Sequence, residues 1–296
     1  MQNFWSNFVQ TSEELFVSRQ LRFRRDNGAL WLDAMKLKGG MNVLEIGCGS
    51  GPFCLRIKEM LPDVKITGLD RDEAHLDYAR NKAAAHGLDC NFVLGDALDI
   101  PFDDKAFDAT TSHTVIEHIE TAKFLSEQFR VLRPGGVCSV LSVRNGLSVY
   151  PEAWLKMEGE EDELFKKAWA KAEGFDKQHG VAAYELNEQE IPKAMEAAGF
   201  VNVAVDFIHS VWFCPDSSNF DKTAALAQIE MNRTFAHHSV TKALAIAPNS
   251  LTNSEQARLA ELINARFDKR VSDYLSGNKH WDMAVSSIMA VTGTRS

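Results

Sequence analysis

The sequence predicts an α/β protein built on a doubly wound parallel sheet with helices on both faces. Three observations predict it. Strand-like apolar runs alternate with helix-period patterns from residue 41 to about 145. The connections between them are short. The first strand runs straight into glycines at alternate positions, Gly47, Gly49 and Gly51, before a helix begins.

The elements follow in order. Met41 to Ile46 is the first strand. A helix from about Pro52 to Leu61 carries Phe53, Ile57, Met60 and Leu61 at spacings of three and four, and Pro62-Asp63 stops it. Lys65 to Asp70 is the second strand; Asp72 then caps a helix to about Ala85, closed by His86-Gly87. Cys90 to Leu94 is the third strand, followed by Gly95-Asp96-Ala97. A turn at Pro101 to Asp104 leads into the fourth, Ala106 to Thr111. A helix from about Ala122 to Leu132 ends in an Arg133-Pro-Gly-Gly136 turn, and Val137 to Val143 is the fifth strand.

Beyond Val143 the pattern changes. Residues 150–180 are acidic and aromatic, with Trp154, Phe165, Trp169 and Phe175, and read as helical. Glu188 to Ala198 is a helix closed by Gly199-Phe200, followed by a strand at Val201 to Ile208. Residues 216–276 read mostly as helix, and Met283 to Thr292 as a last strand. The expected organisation is an N-terminal helical segment, 1–40, and a core of 41–215 with 277–296. Helical insertions at about 150–180 and at 216–276 are expected to form a lid.

Length and charge bound the function. With 296 residues the chain holds one large domain or one domain with a sizeable insertion. The 41 acidic and 32 basic residues give a net charge of -9, which repels a phosphate backbone and disfavours nucleic acid as a partner. The dense basic cluster Arg19, Arg22, Arg24 and Arg25 reads as the solvated face of an N-terminal helix. Cys48, Cys54, Cys90, Cys138 and Cys214 show no metal-type CxxC spacing, so no metal is expected. Their odd number suits reduced thiols in a cytoplasmic protein. No signal-type pattern opens the chain, and no apolar stretch approaches the ~18 residues of a membrane span. A soluble, cytoplasmic protein with no membrane partner is expected.

The run Val43-Leu-Glu-Ile-Gly-Cys-Gly-Ser-Gly51 carries the functional signal. Glycine brings bare backbone, and the positive end of the following helix, against a ligand. Asp70, about twenty residues on at a strand tip, is placed to accept hydrogen bonds from ribose hydroxyls. A nucleoside-containing ligand is therefore expected. Pro52 stands where a GxGxxG dinucleotide fingerprint has its third glycine. Glu45, two positions before the first glycine, suits an ammonium or sulfonium better than a pyrophosphate. Asp96 supplies a second carboxylate for a base, and Glu45, Asp70, Asp96 and Ser112 all fall at carboxyl ends of strands, where such sheets bind ligands. Cys48, inside the loop, reads as a small buried hydrophobe.

Together these residues resemble the class I S-adenosylmethionine-dependent methyltransferases, especially the small-molecule branch with the ubiquinone/menaquinone-biosynthesis-type C-methyltransferases. The resemblance covers roughly residues 41–145. Besides the glycine loop it consists of Gly68-Leu-Asp70, Gly95-Asp-Ala97, Phe107-Asp108, Ser112-His-Thr-Val-Ile-Glu-His118 and Leu132-Arg-Pro-Gly-Gly136. It implies a Rossmann-like seven-stranded sheet whose last strand, here Met283 to Thr292, is antiparallel beside the fifth. It implies S-adenosyl-L-methionine as cofactor, S-adenosyl-L-homocysteine as product and a small-molecule methyl acceptor. By position, Gly47, Gly49 and Gly51, with Cys48 between them, would face the methionyl part, and Glu45 its ammonium group. Asp70 would take the ribose hydroxyls and Arg71 would flank the adenine. Asp96 and the backbone of Ala97 would meet the adenine amino group, and Ser112 would place backbone near the methionyl group and the transferring methyl. Asp108 is read as structural.

Methyl transfer from a sulfonium asks the protein for alignment and exclusion of water. A base is needed where the acceptor must lose a proton, and histidine suits that near neutral pH. His113 is the first candidate and His118 the second. Trp154, Trp169, Trp212 and Phe213 are candidates for an apolar acceptor pocket, although each reads first as plain core, and Arg144 and Asn145 lie at the rim, where they could hold an anionic or carbonyl group. The Arg19 to Arg25 segment is a candidate to close over the cofactor. Two other classes stay open on the residues: a non-catalytic S-adenosylmethionine-binding module and, with less support, an NAD-dependent dehydrogenase. An aminopropyl transferase lacks an acidic pair beside the donor.

Overall fold

The structure is a computed structural model that describes residues 3–149, 157–172 and 174–296. Seven strands form one sheet: β1 (Asn42–Ile46), β2 (Lys65–Asp70), β3 (Asn91–Leu94), β4 (Phe107–His113), β5 (Leu132–Val143), β6 (Phe200–Phe213) and β7 (Ala284–Arg295). Their order is β3-β2-β1-β4-β5-β7-β6. Strands β3, β2, β1, β4 and β5 pair in parallel, and β7 runs antiparallel to β5 with Val140 opposite Val291. This is the expected Rossmann-like sheet with an antiparallel closing strand. The order reverses between β1 and β4, which opens a crevice at their carboxyl ends.

The helices are α1 (Ser12–Arg22), α2 (Gly28–Ala34), α3 (Pro52–Met60), α4 (Glu73–Ala85), α5 (Thr121–Val131), α6 (Glu160–Trp169), α7 (Phe175–Gln178), α8 (Glu190–Ala197), α9 (Lys222–Ile246) and α10 (Asn253–Leu275). Their starts follow local chemistry. Thr11 and Glu14 form a capping box on α1, and Asp72 accepts from the N–H groups of Ala74 and His75 to cap α4. Pro52 opens α3, where its missing N–H costs nothing.

The chain divides into two compact units. One comprises Met1–Leu147, His179–Ser210 and Ser286–Ser296; the other comprises Ser148–Gln178 and Val211–Val285. The N-terminal helices thus fall within the first unit. The segments expected as separate insertions at 150–180 and 216–276 fall together in the second. In the first unit, alternation along β1 sends Val43 to a cluster with Trp31, Met35, Phe53 and Ile57, while Leu44 and Ile46 join Phe124, Leu125, Ile191 and Met195. Each fully buried side chain of this kind contributes about 2 kcal/mol. The second unit has its own core of Phe213, Ile229, Leu259, Ile263 and Phe267, closed by the Arg270 ion pairs with Asp216 and Asp282 at 2.7 and 3.2 Å.

Several strand boundaries differ from the sequence reading, with β6 running five residues further, to Phe213, and two of the differences bear on the site. Strand β4 continues through Ser112 to His113, because parallel pairing with Ile46 and with Val140 and Leu141 holds those residues in the sheet. The Arg133 to Gly136 segment belongs to β5 rather than to a free turn: Leu132 pairs with Phe107, and the register shift before Ala109 absorbs the extra residues. Asp108, at the amino end of β4, accepts from Asn42 N–H at 2.8 Å and from Arg133 at 2.6 Å, a structural position.

Gly51 tests the packing of this layer. Its φ is +79°, and a Cβ there would lie 2.8 Å from Ala79 Cβ and 2.9 Å from the Phe92 ring. Gly51→Ala is expected to destabilise the protein by about 2 kcal/mol in urea unfolding. Unchanged stability would contradict the close α3–α4–β3 packing.

Candidate active site

The loop after β1 is tied to the tip of β2. The N–H groups of Gly47 and Cys48 both donate to Leu69 C=O, at 2.7 and 3.0 Å, and Gly49 N–H donates to Asp70 Oδ2 at 2.8 Å. Asp70 Oδ1 accepts from Asp72 N–H at 2.9 Å. Burial raises the Asp70 carboxyl, and these backbone donors oppose the rise. Gly49 has φ +53°, a left-handed conformation that favours glycine, and Leu15 of α1 packs over it, its end methyl 2.3 Å from where a Cβ would lie.

These elements bound a cavity at the carboxyl ends of the strands. Its walls include Glu45, Gly47, Cys48, Gly49, Asp70, Arg71, Asp96, Ala97, His113 and His118, so most of the residues singled out in the sequence meet there. Two do not line it. Gly51 is turned into the packing between α4 and β3. Ser112, 1% exposed, shares its strand face with Thr110, whose hydroxyl meets Gln128 of α5. The cause is the longer β4: period-two alternation turns Ser112 away and His113 toward the cavity. Thr114 and Val115 stand at the place expected for Ser112. Thr114 has φ +54°, strained for a β-branched residue and held by its N–H bond to Leu141 C=O at 2.8 Å.

The ionisable groups have distinct environments. Glu45 is buried, accepts from Cys54 Sγ at 2.8 Å, and is pushed up to about 8 by burial, with the nearby Asp70 adding to the rise. Burial pushes the Cys48 thiol up to about 11, so it is not a nucleophile; it packs against Gly68. Arg71 stacks over Trp5 at 5.9 Å. Asp96 is exposed, with Oδ1 accepting from Leu98 N–H at 2.9 Å.

The two histidines differ. His113 stacks on Phe53 at 4.8 Å and meets the edge of Trp31 at 5.9 Å. Burial, then Arg19 and Arg22, hold it well below the usual histidine range, so it is neutral at physiological pH. Its Nε2 is buried and has no hydrogen-bond partner. His118 is lowered to about 4, by burial and then Arg71 and Arg19. Its Nδ1 accepts from Ala182 N–H at 2.8 Å and its ring meets Trp5 at 4.6 Å. That leaves it a donor at Nε2 and a fastener for the 179–184 segment.

Several cavity residues escaped the sequence reading: Trp5, Leu15, Phe53, His75, Thr114 and Val115, whereas Arg19 belongs to the segment expected to close over the cofactor. The readable signal was the spacing of Leu15 and Arg19, one turn apart on a helix opened by a Thr11–Glu14 capping box. The arginine cluster divides: Arg19 enters the cavity and Arg22 donates to Ser286 Oγ at 2.8 Å, while Arg24 and Arg25 pair with Asp26 and Glu59. Trp169, Trp212 and Phe213 pack in the core of the second unit, and Trp154 lies outside the described residues. Arg144 donates to Leu186 C=O and Ser142 Oγ at 2.6 and 2.7 Å, and Asn145 opens a short helical turn behind it.

The sequence profile described as a methyltransferase domain matches residues 37–199, more than half of the chain. The chain belongs to this family, the class I S-adenosylmethionine-dependent methyltransferases, whose cofactor is S-adenosylmethionine. Demethylmenaquinone methyltransferase of Thermus thermophilus is 38% identical over 128 residues, covering 43% of this chain and 56% of that protein. Ajmaline N-methyltransferase of Rauvolfia serpentina is 38% identical over 104 residues, covering 34% and 35%. The matched stretch is thus about half or less of these relatives. Phosphoethanolamine N-methyltransferase 2 of Haemonchus contortus shares the fold with a TM-score of 0.53 at 16% identity, covering 98% of this chain and 59% of that one.

The cavity's chemistry fits the cofactor. Glu45 offers a carboxyl to an ammonium or sulfonium, Asp70 and Asp96 offer acceptors to hydroxyl and amino groups, and the loop between them is bare backbone. Among the described residues no helix is long and apolar enough to cross a membrane, and no group of three or more His, Cys, Asp or Glu is arranged to hold a metal ion.

Glu45 sets a pH dependence. With its carboxyl at about 8, a cationic ligand favours the ionised form and expels a proton when it binds below that pH. S-Adenosylmethionine affinity, measured by calorimetry, is expected to rise from about pH 6 to about pH 8 and then level off, with Glu45→Gln flattening the profile. A flat wild-type profile would contradict the assignment.

Proposed function

We propose that this protein transfers a methyl group to a small-molecule acceptor, with His113 as the base that removes the acceptor's proton. The observation that carries the reading is the buried, unpartnered Nε2 of a neutral imidazole on the wall of the cavity that holds the glycine loop, Asp70 and Asp96. When bound, S-adenosylmethionine supplies an electrophilic methyl on a sulfonium, ready for in-line displacement.

The chain's own residues supply the rest. Glu45, Asp70, Arg71, Asp96 and Ala97, with the Gly47–Gly49 backbone, bind and orient the cofactor. Phe53 and Trp31 keep His113 dry and fix its plane. A neutral imidazole takes a proton without first losing one. His118 positions the wall beside it. The named acceptors of the relatives, demethylmenaquinone and ajmaline, are small molecules, which supports a small-molecule acceptor here. The family match removes support from the dehydrogenase alternative.

The test is formation of S-adenosylhomocysteine with a panel of phenol, quinol and amine acceptors. On any acceptor the wild type methylates, His113→Ala is expected to lower kcat about 10²- to 10⁴-fold, leaving cofactor affinity within about twofold. His118→Gln is expected to lower it less than about tenfold. Full turnover in His113→Ala would contradict the base assignment. Cofactor binding with no turnover on any acceptor would favour a non-catalytic binding module.

A further inference from the structure

Charges of both signs line the cavity: Glu45, Asp70 and Asp96 on one hand, Arg19 and Arg71 on the other, with the neutral His113 among them. Arg19 Nη2 donates to Thr114 Oγ1 at 3.2 Å, and Nη1 makes a long bond to Ser18 Oγ at 3.4 Å. Thr114 adjoins His113, so the guanidinium lies beside the base. Among the described residues no carboxylate pairs with Arg19 within 4.0 Å.

The groups facing it do not neutralise it. Glu117 accepts from Ser142 Oγ, its Oε2 has no partner, and burial raises its carboxyl toward the neutral form. Burial and then the like charge of Arg22 lower Arg19 to about 9, with the charge of Glu117 opposing them, so the guanidinium is a largely desolvated cation with no ion pair. Arg19 acts on the ionisation of His113, His118 and Glu117. The bond to Thr114, next in sequence to His113, keeps the guanidinium at that wall of the cavity. A cation held by hydroxyls alone gains strongly from an incoming oxyanion through charge-assisted hydrogen bonds.

We propose that Arg19 holds an oxyanion of the methyl acceptor, and that the acceptor class is a weakly acidic O–H or enolisable C–H compound reacting as its anion. This rests on the methyltransferase reading above. The acceptor's proton goes to His113 Nε2. The negative charge it leaves, on oxygen, lies against Arg19. The electron pair forms the new bond to the methyl carbon as the carbon–sulfur bond breaks with its pair to sulfur. The products are the methylated acceptor, S-adenosylhomocysteine and a protonated His113, which returns its proton to solvent. A neutral amine brings no charge to meet the guanidinium and fits this wall poorly.

The experiment uses 4-nitrophenol, whose phenolate absorbs visible light, titrated into the full-length protein saturated with S-adenosylhomocysteine. The wild type is expected to bind the phenolate at least about tenfold more tightly than the neutral phenol. Arg19→Gln should abolish that preference, and Arg19→Lys should keep part of it. Calorimetric affinity for S-adenosylhomocysteine should stay within about twofold in both variants, which also shows that they fold. A wild type that does not bind the phenolate preferentially, or a preference that survives in Arg19→Gln, overturns the proposal. So does an Arg19→Gln variant that weakens S-adenosylhomocysteine but not 5′-methylthioadenosine, which lacks the carboxylate: Arg19 would then belong to the cofactor's own anion. Failure of the wild type to bind S-adenosylhomocysteine at all overturns the cofactor reading itself, a separate and recognisable result.

Discussion

The site depends on the parallel alignment of β1 and β2, whose tips are locked by one carbonyl and one carboxylate. Leu69 C=O takes two N–H groups of the glycine loop, and Asp70 takes a third from Gly49. Those bonds hold the loop in left-handed turns that other residues resist, and they fix Asp70 in the crevice where the strand order reverses. The ladders of β1 with β4 and of β2 with β3 set Glu45, His113 and Asp96 in register, and that lock sets the glycine loop among them.

The same lock organises the N-terminal helix. Leu15 occupies the space above Gly49 that any side chain there would fill, and Arg19, one turn further on, reaches Thr114. Ser6 donates to both oxygens of Asp72, the α4 cap, through its N–H at 2.8 Å and its hydroxyl at 3.0 Å. One segment thus covers the glycine loop and places a guanidinium on Thr114. The cost is a desolvated guanidinium and a strained Thr114, both next to the proposed base.

Much of this was legible in the sequence, for physical reasons. Strands β1 to β5 and the helices between them follow hydrophobic period and turn chemistry, which are local. The glycine loop, Asp70 and Asp96 could be placed because strand tips in a parallel sheet share one edge. What the sequence concealed was direction. Period alone ended β4 at Thr111, whereas pairing with β1 and β5 carries it to His113 and so decides that His113, and not Ser112, faces the cavity. The arginine cluster looked like a solvated face because charge is usually solvated; only the tertiary fold sends Arg19 and Arg22 inward. Trp169, Trp212 and Phe213 proved to be core, since an aromatic at helical or strand spacing has the same sequence signature in either role.

The central claim is that one cavity, at the tips of β1, β2, β3 and β4, holds an adenosyl sulfonium against the glycine loop, Asp70 and Asp96, with its methyl facing His113. A crystal structure of the protein with S-adenosylhomocysteine tests it most directly. The account predicts ribose hydroxyls on Asp70, adenine beside Asp96, and the sulfur between the glycine loop and the His113 side of the cavity. A nucleoside bound elsewhere, or one whose sulfur points away from His113, would contradict it.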